Sequence, residues 1–197
     1  GMLFATAVHK IGALVKHLIA YPPLRPFFGG LVIATAVWAL DAYRYIGLGI
    51  PDIARSFQEP MLPWDFLGKL VFTVASLGTG FKGGEVTPLF YIGATMGNVL
   101  APLLHMPFAL MAAIGFVAVF AGAANTPIAT TLMAMELFGA GIGPLAAIGC
   151  VTAYLFSGHA GIYHAQRIGH SKHHRRSLTG AEVPRRDVEA TKTKDPA

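Results

Sequence analysis

The chain has 197 residues, of which 54% are hydrophobic and 13% are charged, and its formal net charge is +5. A chain of this length usually makes one domain, and this one is too apolar for an ordinary soluble domain. No Asp, Glu, Lys or Arg lies between Glu85 and Glu136, and such a run cannot cover a water-facing surface. The composition therefore predicts an integral membrane protein.

The amino-terminal part predicts two helices and an interfacial loop. In GMLFATAVHKIGALVKHL the apolar residues recur at helical spacing and no small-residue cleavage site follows, which predicts a membrane helix or half-helix and not a signal peptide. The YPPLRP segment ends this helix, and a second apolar helix is expected over residues 27–40. Residues 47–63 have the composition of an interfacial loop with one short helix, and Trp64 fits an interface anchor.

The central part predicts a polytopic, all-α transmembrane bundle of broken and tilted helices. We expect helices over residues 66–77, 86–104, 108–123, 126–138 and 145–156. Asp65 and Asn125 are the predicted N-caps of the first and the fourth of these helices. A glycine-rich segment over residues 78–84 separates the first two of these helices, and prolines interrupt the charge-free stretch that follows it. In lipid, such breaks are tolerated only where protein or a water-filled cavity surrounds them, and a permeation site is built there.

The carboxy-terminal segment differs from the rest in composition. After the string SGHAGIY we expect a short helix over residues 163–167, and residues 169–197 lack apolar periodicity. We therefore predict a transmembrane part over 1–168 and a disordered tail over 169–197. The tail favours the cytoplasmic side of the cell's inner membrane, with no nucleic-acid partner, because its basic residues directly follow the membrane part. These residues are Lys172, Arg175, Arg176, Arg185, Arg186, Lys192 and Lys194.

Motifs of covalent chemistry are absent from the sequence. It contains no phosphate loop, dinucleotide fingerprint, CxxC pair or nucleophile elbow, so we expect neither an enzyme nor a cofactor. The only cysteine, Cys150, lies in an apolar run and is expected to be a small buried side chain. A histidine-based metal site is an alternative, but the spacings do not repeat on one helical face, so none is predicted. The histidines concerned are His159, His164, His170, His173 and His174.

The most informative string is GGEVTP, residues 83–88, because a glycine pair exposes backbone and a helix start follows at once. The first turn of a helix leaves N–H groups without partners and carries the positive end of the helix dipole, so it can hold an anion. Thr87 adds a hydroxyl donor, and Pro88 helps to fix the helix start without costing a hydrogen bond. The alternative is an ordinary helix N-terminus in which Glu85 complements the dipole from the headgroup region.

Three further side chains bear on transport. A carboxylate at membrane depth usually marks an ion or proton pathway, and Glu85 is such a carboxylate. Glu136 has the plainer interpretation of an interfacial or helix-packing residue. Tyr163 follows a glycine-containing break, so its phenol either faces the interior as an anion donor or belongs to an interface belt, and sequence physics alone favours the belt.

The string GGEVTPLFYIGATMGNVLAPLL resembles the helix-N region of CLC anion channels and transporters, where a Gly-x-Phe-x-Pro-type motif lines the ion path. Residues 84–88 stand at that motif. The variant with Glu85 and Thr87 is similar to the fluoride/proton antiporter branch, and the strings AANTPIATTLMAMELFG and AYLFSGHAGIY match that branch as well. The resemblance covers essentially everything from Leu3 to about Ile168.

The resemblance implies roles for individual residues. Gly84, Val86 and neighbouring backbone amides would contact fluoride, Thr87 would lend its hydroxyl, Glu85 would shape the central pathway, and Tyr163 would be the inner-gate tyrosine. The family builds each subunit from two inverted halves, and this sequence has the second half. The first-half segment with the gating glutamate is absent from it. We therefore expect a truncated gene model, a fragment, or one part of a split protein.

The resemblance also implies a homodimer, with contacts from helices over roughly 4–18, 126–138 and 145–156. The resulting hypothesis is one half of a fluoride-conducting CLC pathway that is driven by ion gradients and exports fluoride, with protons as the candidate coupled ion. A chloride-selective CLC half and a non-transporting membrane fragment that packs against a partner, such as the missing amino-terminal half, remain the alternatives.

Overall fold

The computed structural model describes residues 2–158 and 161–162, and every regular element within these ranges is helical. The α-helices are α1 (Met2–Leu18), α2 (Leu24–Leu40), α3 (Ile50–Ser56), α4 (Asp65–Gly78), α5 (Val86–Leu100), α6 (Phe108–Ala124), α7 (Pro127–Phe138) and α8 (Gly143–Phe156). Short 3-10 helices cover Tyr43–Tyr45 and Ala140–Ile142. These residues belong to one compact unit, Gly1–Arg167. The expected helix over 163–167 and the expected tail lie outside the described residues.

Prolines define several of the helix starts. α6 begins directly after Pro107, α7 begins at Pro127, and α8 has a proline in its first turn. Proline is tolerated there because its missing N–H is one that the first turn leaves unpaired in any case. The same tolerance explains why α2 begins at Leu24 rather than at residue 27, with Pro26 inside its first turn.

Both predicted N-caps are wrong. Asp65 is the first residue of α4, and its carboxylate accepts hydrogen bonds from the Leu62 N–H at 3.1 Å and from the Tyr45 hydroxyl at 2.8 Å. Asn125 ends α6 in the left-handed region, with φ 58°, and its N–H donates to the Ala121 carbonyl. Asn tolerates this conformation better than most residues, which suits it to close a helix.

α5 also ends earlier than predicted. It stops at Leu100, and the chain then turns back, with the Met106 N–H donating to the Ala101 carbonyl at 3.0 Å. His105 adopts a left-handed backbone conformation, φ 53°, within this turn. The sequence pattern predicts a helix to residue 104 because its apolar composition continues, although Pro102 already favours a stop.

α5 and α6 pack with their backbones in contact. A Cβ atom built on Gly93 or Gly97 collides with backbone carbonyl oxygens of α6, and one built on Gly115 collides with a carbonyl oxygen of α5. Phe90 stacks on Phe116 beside this contact, with the ring centroids 4.0 Å apart. Small residues thus allow the close van der Waals packing by which helices associate in lipid.

Two apolar clusters hold α1, α4, α7 and α8 against this pair. Cys150 of α8 is fully buried in the first cluster, together with Ala134 of α7, which confirms its prediction as a small buried side chain. The second cluster joins Phe4 of α1 and Val74 of α4 to Leu89 in the first turns of α5. The start of α5 is therefore supported from α1 and α4.

Many large apolar side chains lie outside these clusters and are exposed, including Trp38 at 76% and Phe156 at 81%. Extended exposed apolar surface marks contact with lipid or with other protein. Among the described helices, none is both long enough and apolar enough for a single complete membrane crossing.

Candidate anion site

The start of α5 lies where the sequence predicts it, at Val86. Glu85 is at the N-cap position and already has a near-helical backbone, φ −91° and ψ −16°. Its carbonyl accepts the first helical hydrogen bond, from the Leu89 N–H at 3.3 Å. Its half-buried side chain makes no capping hydrogen bond, so the carboxylate leaves the amides of the first turn unblocked.

Backbone amides are the donors that this helix start offers. Val86 and Thr87 are the first two helical residues, and an N–H at these positions has no helical carbonyl four residues before it. Pro88 follows and is buried, and it lacks an N–H. The two free amides, the half-buried Thr87 hydroxyl and the positive end of the helix dipole thus favour a negative charge at this position.

The glycines that precede the helix leave the backbone uncovered. Gly83 and Gly84 are exposed, and a Cβ atom built on either would meet nothing within 4 Å. Neither residue has a positive φ. Packing and backbone conformation among the described residues therefore do not require glycine here, and the observable effect of the pair is open access to the main chain.

A cavity of about 800 Å³ lies beside this segment. Gly83, Gly84 and Pro88 form part of its wall. The rest of the wall comes from α2, from the turn over residues 43–47, from one face of α4 and from Phe81 and Lys82 after it. The helix start thus borders a space large enough for a hydrated ion.

Lys69 of α4 lines the same cavity, and sequence reasoning missed it. Its side chain is 1% exposed, and its Nζ donates to the carbonyls of Tyr45 at 3.2 Å and Gly47 at 2.6 Å. The Nζ also lies 5.1 Å from the centroid of the Tyr91 ring. A lysine in the middle of an apolar helical pattern was the only available signal, because its carbonyl partners belong to a distant turn.

An ion-pair cluster next to this turn was also missed. Arg44 lies 3.1 Å from an Asp52 oxygen and 3.2 Å from an Asp65 oxygen, and Asp65 is fully buried. Tyr45 donates its hydroxyl to the same Asp65 carboxylate. These contacts tie the 43–45 segment to the start of α4, which fixes the carbonyls that receive Lys69.

The remaining predicted residues are not brought to this site by the described part of the structure. Glu136 is exposed on α7. Tyr163 lies outside the described residues, although the preceding Ile162 is buried in the cluster that contains Leu89, and its N–H donates to the Ala123 carbonyl at 3.0 Å. The five histidines considered for metal binding also lie outside them, and residues 2–158 contain no group of three metal-binding side chains.

Comparison with known proteins identifies the family. The profile of voltage-gated chloride channels matches residues 1–158. The chain belongs to the voltage-gated chloride channel family, or CLC family. This match includes all of residues 84–88, and it confirms the resemblance stated from their motif. The family is one of membrane channels and transporters, so the chain is a membrane protein.

Individual relatives agree with this assignment. A chloride/fluoride channel protein of Pseudomonas syringae pv. tomato is 74% identical over 181 residues, which are 89% of this chain and 40% of that protein. A voltage-gated ClC-type chloride channel, ClcB, of Escherichia coli K12 is 29% identical over 175 residues, which are 80% of this chain and 40% of ClcB.

A solved structure supports the same fold. The crystal structure of a CLC-type fluoride/proton antiporter matches this chain with a TM-score of 0.75 and 39% identity, over 78% of this chain and 39% of that one. The all-α CLC architecture predicted from the sequence is therefore confirmed. The chain spans about two fifths of the length of these relatives.

Proposed function

We propose that this chain supplies part of a membrane pathway that conducts fluoride, and that the start of α5 holds the anion. The observation that carries the proposal is the uncovered helix start: Gly83, Gly84 and Pro88 border a cavity, and the Glu85 side chain makes no capping hydrogen bond to the first amides. The relatives named for fluoride support fluoride as the transported ion.

Binding at this position would be dipolar. Two amides and one hydroxyl hold a small anion by hydrogen bonds, and the helix dipole adds attraction without a full countercharge. Such a site binds the ion well enough to admit it and weakly enough to release it, which conduction requires. Pro88 and the buried Leu89 hold the first turn in place while the ion passes.

Glu85 and Tyr163 complete the proposed pathway. The Glu85 carboxylate belongs to the residue just before the anion position and makes no cap, so its charge acts on the ion directly. Coupling of fluoride to protons would use such a group. For Tyr163 the support is the resemblance, together with the packing of its neighbour Ile162 beside Leu89.

The proposed assembly is a homodimer in the inner membrane, with a transmembrane part over 1–168 and a cytoplasmic tail over 169–197. Exposed apolar side chains on α7 and α8 support a protein contact there, among them Ile128, Leu132 and Ile148. The relatives continue well beyond the matched region. A segment that corresponds to the unmatched part of these relatives would supply the remainder of the pathway.

The test is fluoride efflux from liposomes that contain the chain, measured with a fluoride electrode against a chloride-loaded control. Glu85→Gln should abolish selective efflux, and Thr87→Ala should reduce it at least about tenfold because a hydrogen bond to a charged ion is lost. Glu59→Gln and Thr35→Ala are matched controls, since both residues are exposed and distant in sequence from the helix start.

Fluoride binding to the purified chain in detergent, followed by ¹⁹F NMR, is the second readout. Binding without efflux, sensitive to Thr87→Ala, means that the chain carries the site and needs a further segment for conduction. Equal efflux of chloride favours the chloride-selective alternative. If the unaltered chain shows no fluoride binding and no efflux, the proposal is overturned in favour of a non-transporting fragment.

A further inference from the structure

The corner between α1 and α2, residues 16–28, carries basic side chains from both helices. Lys16 and His17 are exposed in the last turn of α1, and Arg25 lies in the first turn of α2. The sequence has no Asp or Glu before Asp41, which follows the other end of α2. At 1.5 Å per residue α2 separates Asp41 from the corner by about 25 Å. This distance exceeds the Debye length of about 8 Å at physiological ionic strength, so Asp41 does not neutralise the corner.

Arg25 brings its charge to the end of α1. Its Nε donates to the Ile19 carbonyl at 2.9 Å, and one of its terminal nitrogens donates to the Ala20 carbonyl at 3.1 Å. A guanidinium has five N–H donors, so these two bonds leave others for a further partner. Lys16 and His17 lie within four residues of the same carbonyls. The basic side chains of the two helices therefore share one small region.

The charge of this region is not compensated within the described part of the chain. The ion pairs shorter than 4.0 Å found there involve Arg44 and Arg55, and none involves a basic residue of the corner. A helix C-terminus does favour cations, but its dipole is equivalent to only about half a negative charge. Lys16 and Arg25 alone carry two full positive charges. The corner thus keeps an excess of positive charge that can attract an anion.

Exposed apolar side chains flank these basic groups. Leu18 and Tyr21 are exposed on the α1 side, and Phe27, Phe28 and Leu31 are exposed on the α2 side. The Phe27 and Phe28 rings pack edge to face, with their centroids 5.6 Å apart. Tyrosine is typical of the boundary between hydrocarbon and water. A charged region beside an apolar one at this boundary matches the two parts of a phospholipid, the headgroup and the acyl chains.

We propose that the corner between α1 and α2 binds an anionic phospholipid. Lys16 and Arg25 contact its phosphate, and its acyl chains lie against Leu18 and Phe27. Neither helix has an Asp or Glu to pair with the ammonium of a zwitterionic headgroup, so the surface selects a lipid with net negative charge. This surface is separate from the start of α5, and the inference does not rest on fluoride transport.

The experiment uses a single tryptophan as a local reporter of lipid contact. Trp38 and Trp64 are the two tryptophans of the chain, so Tyr21→Trp combined with Trp38→Phe and Trp64→Phe places one reporter at the corner. The full chain is reconstituted in phosphatidylcholine vesicles. Quenching by phosphatidylglycerol and by phosphatidylcholine, each with brominated acyl chains and at equal mole fraction, gives their relative binding constant. The matched reporter keeps Trp38 and carries Trp64→Phe, because Trp38 is exposed toward the other end of α2.

We expect the Tyr21→Trp reporter to show a preference of about fivefold or more for phosphatidylglycerol, since one basic residue contributes about that factor at an anionic membrane surface. The Trp38 reporter should show no preference beyond about twofold. Lys16→Gln should lower the preference at the corner about threefold or more, and Lys16→Arg should retain it because the charge is kept. Lys82→Gln removes an exposed cation outside the corner and should leave the preference unchanged.

Several results would overturn the proposal. An equal preference at both reporters means general attraction to the membrane surface, and an effect of Lys16→Gln no larger than that of Lys82→Gln removes the site. Absence of quenching by either lipid at the Tyr21→Trp reporter means that another protein segment covers the corner.

Salt provides a measurement that replaces no basic residue. The Lys16 variants leave the Arg25 hydrogen bonds to the end of α1 in place, but a folding defect in them would leave the reporter chain itself as the sample. About 0.5 M sodium chloride should lower its phosphatidylglycerol preference at least about twofold, because exposed charges are screened. A preference that salt leaves unchanged contradicts a phosphate held by exposed basic side chains.

Discussion

The two ends of α5 differ in how their backbone is covered. At the start, Gly83 and Gly84 leave the main chain open, and both glycines border a cavity. Toward the far end, Gly97 touches the backbone of α6, and Asn98 is 1% exposed. A rigid helix transmits the position of its fixed end along its length. The closed end can therefore hold the open end in place without covering the groups that bind the ion.

The Asn98 side-chain amide makes three hydrogen bonds at the closed end. Its Oδ1 accepts from the Met61 N–H at 2.8 Å, and its Nδ2 donates to the carbonyls of Ser56 at 2.6 Å and Glu59 at 2.9 Å. One side chain thus satisfies three backbone groups, one at the last residue of α3 and two in the segment between α3 and α4. The same segment has no comparable contact with the open end in the described residues.

The largest expected effect on stability comes from removing the three Asn98 hydrogen bonds. Asn98→Ala should lower the free energy of unfolding by roughly 2–4 kcal/mol, because three backbone groups lose their partners at once. Denaturant titration in mixed micelles measures the loss. Thr35→Ala is the control, since its hydroxyl bonds to the Leu31 carbonyl of its own helix and is exposed. Equal stabilities for the two variants would show that Asn98 does not anchor α5.

A smaller loss is expected from a methyl group in the helix contact. Gly97→Ala places a Cβ atom against the carbonyl of Met111 in α6. The helices must separate to admit it, which should cost roughly 1–3 kcal/mol of unfolding free energy. Thermal unfolding at matched detergent concentration reports the change. A fully stable variant would mean that the two backbones are not in contact.

The same substitution at the open end sharpens the comparison. Gly84→Ala meets no atom and needs no unusual φ, so the unfolding free energy should change by less than about 0.5 kcal/mol. Efflux of fluoride should nevertheless fall at least about threefold, because the methyl group shields amides that bind the ion. Unchanged efflux would show that access to this backbone does not limit transport, and a large stability loss would contradict the open space seen beside Gly84.

The sequence predicted the elements that depend on local signals. The start of α5 at Val86 follows from a glycine pair and a proline, whose backbone preferences act within a few residues. The helix breaks near Pro107 and Pro127 are of the same kind. The α5 site is contained in one contiguous string, and its residues are therefore recognisable from the sequence alone.

Residues whose roles depend on distant partners were not predicted. Asp65 is a plausible cap by position, but Arg44 and Tyr45 recruit its carboxylate in the folded chain. Lys69 interrupts an apolar pattern, and nothing in that pattern shows that its partners are carbonyls more than twenty residues earlier. Side chains of this kind are assigned by tertiary contacts, which no periodicity or capping rule contains.

The Asn98 contacts also set an order for biosynthesis. The residue reaches back 37 positions to Met61 and 42 positions to Ser56. The ribosome releases the chain from its amino terminus, so the backbone groups of the 56–61 segment find this partner only after Asn98 has emerged. A nascent chain that stalls before residue 98 would therefore expose these unpaired groups to chaperones and quality-control proteases.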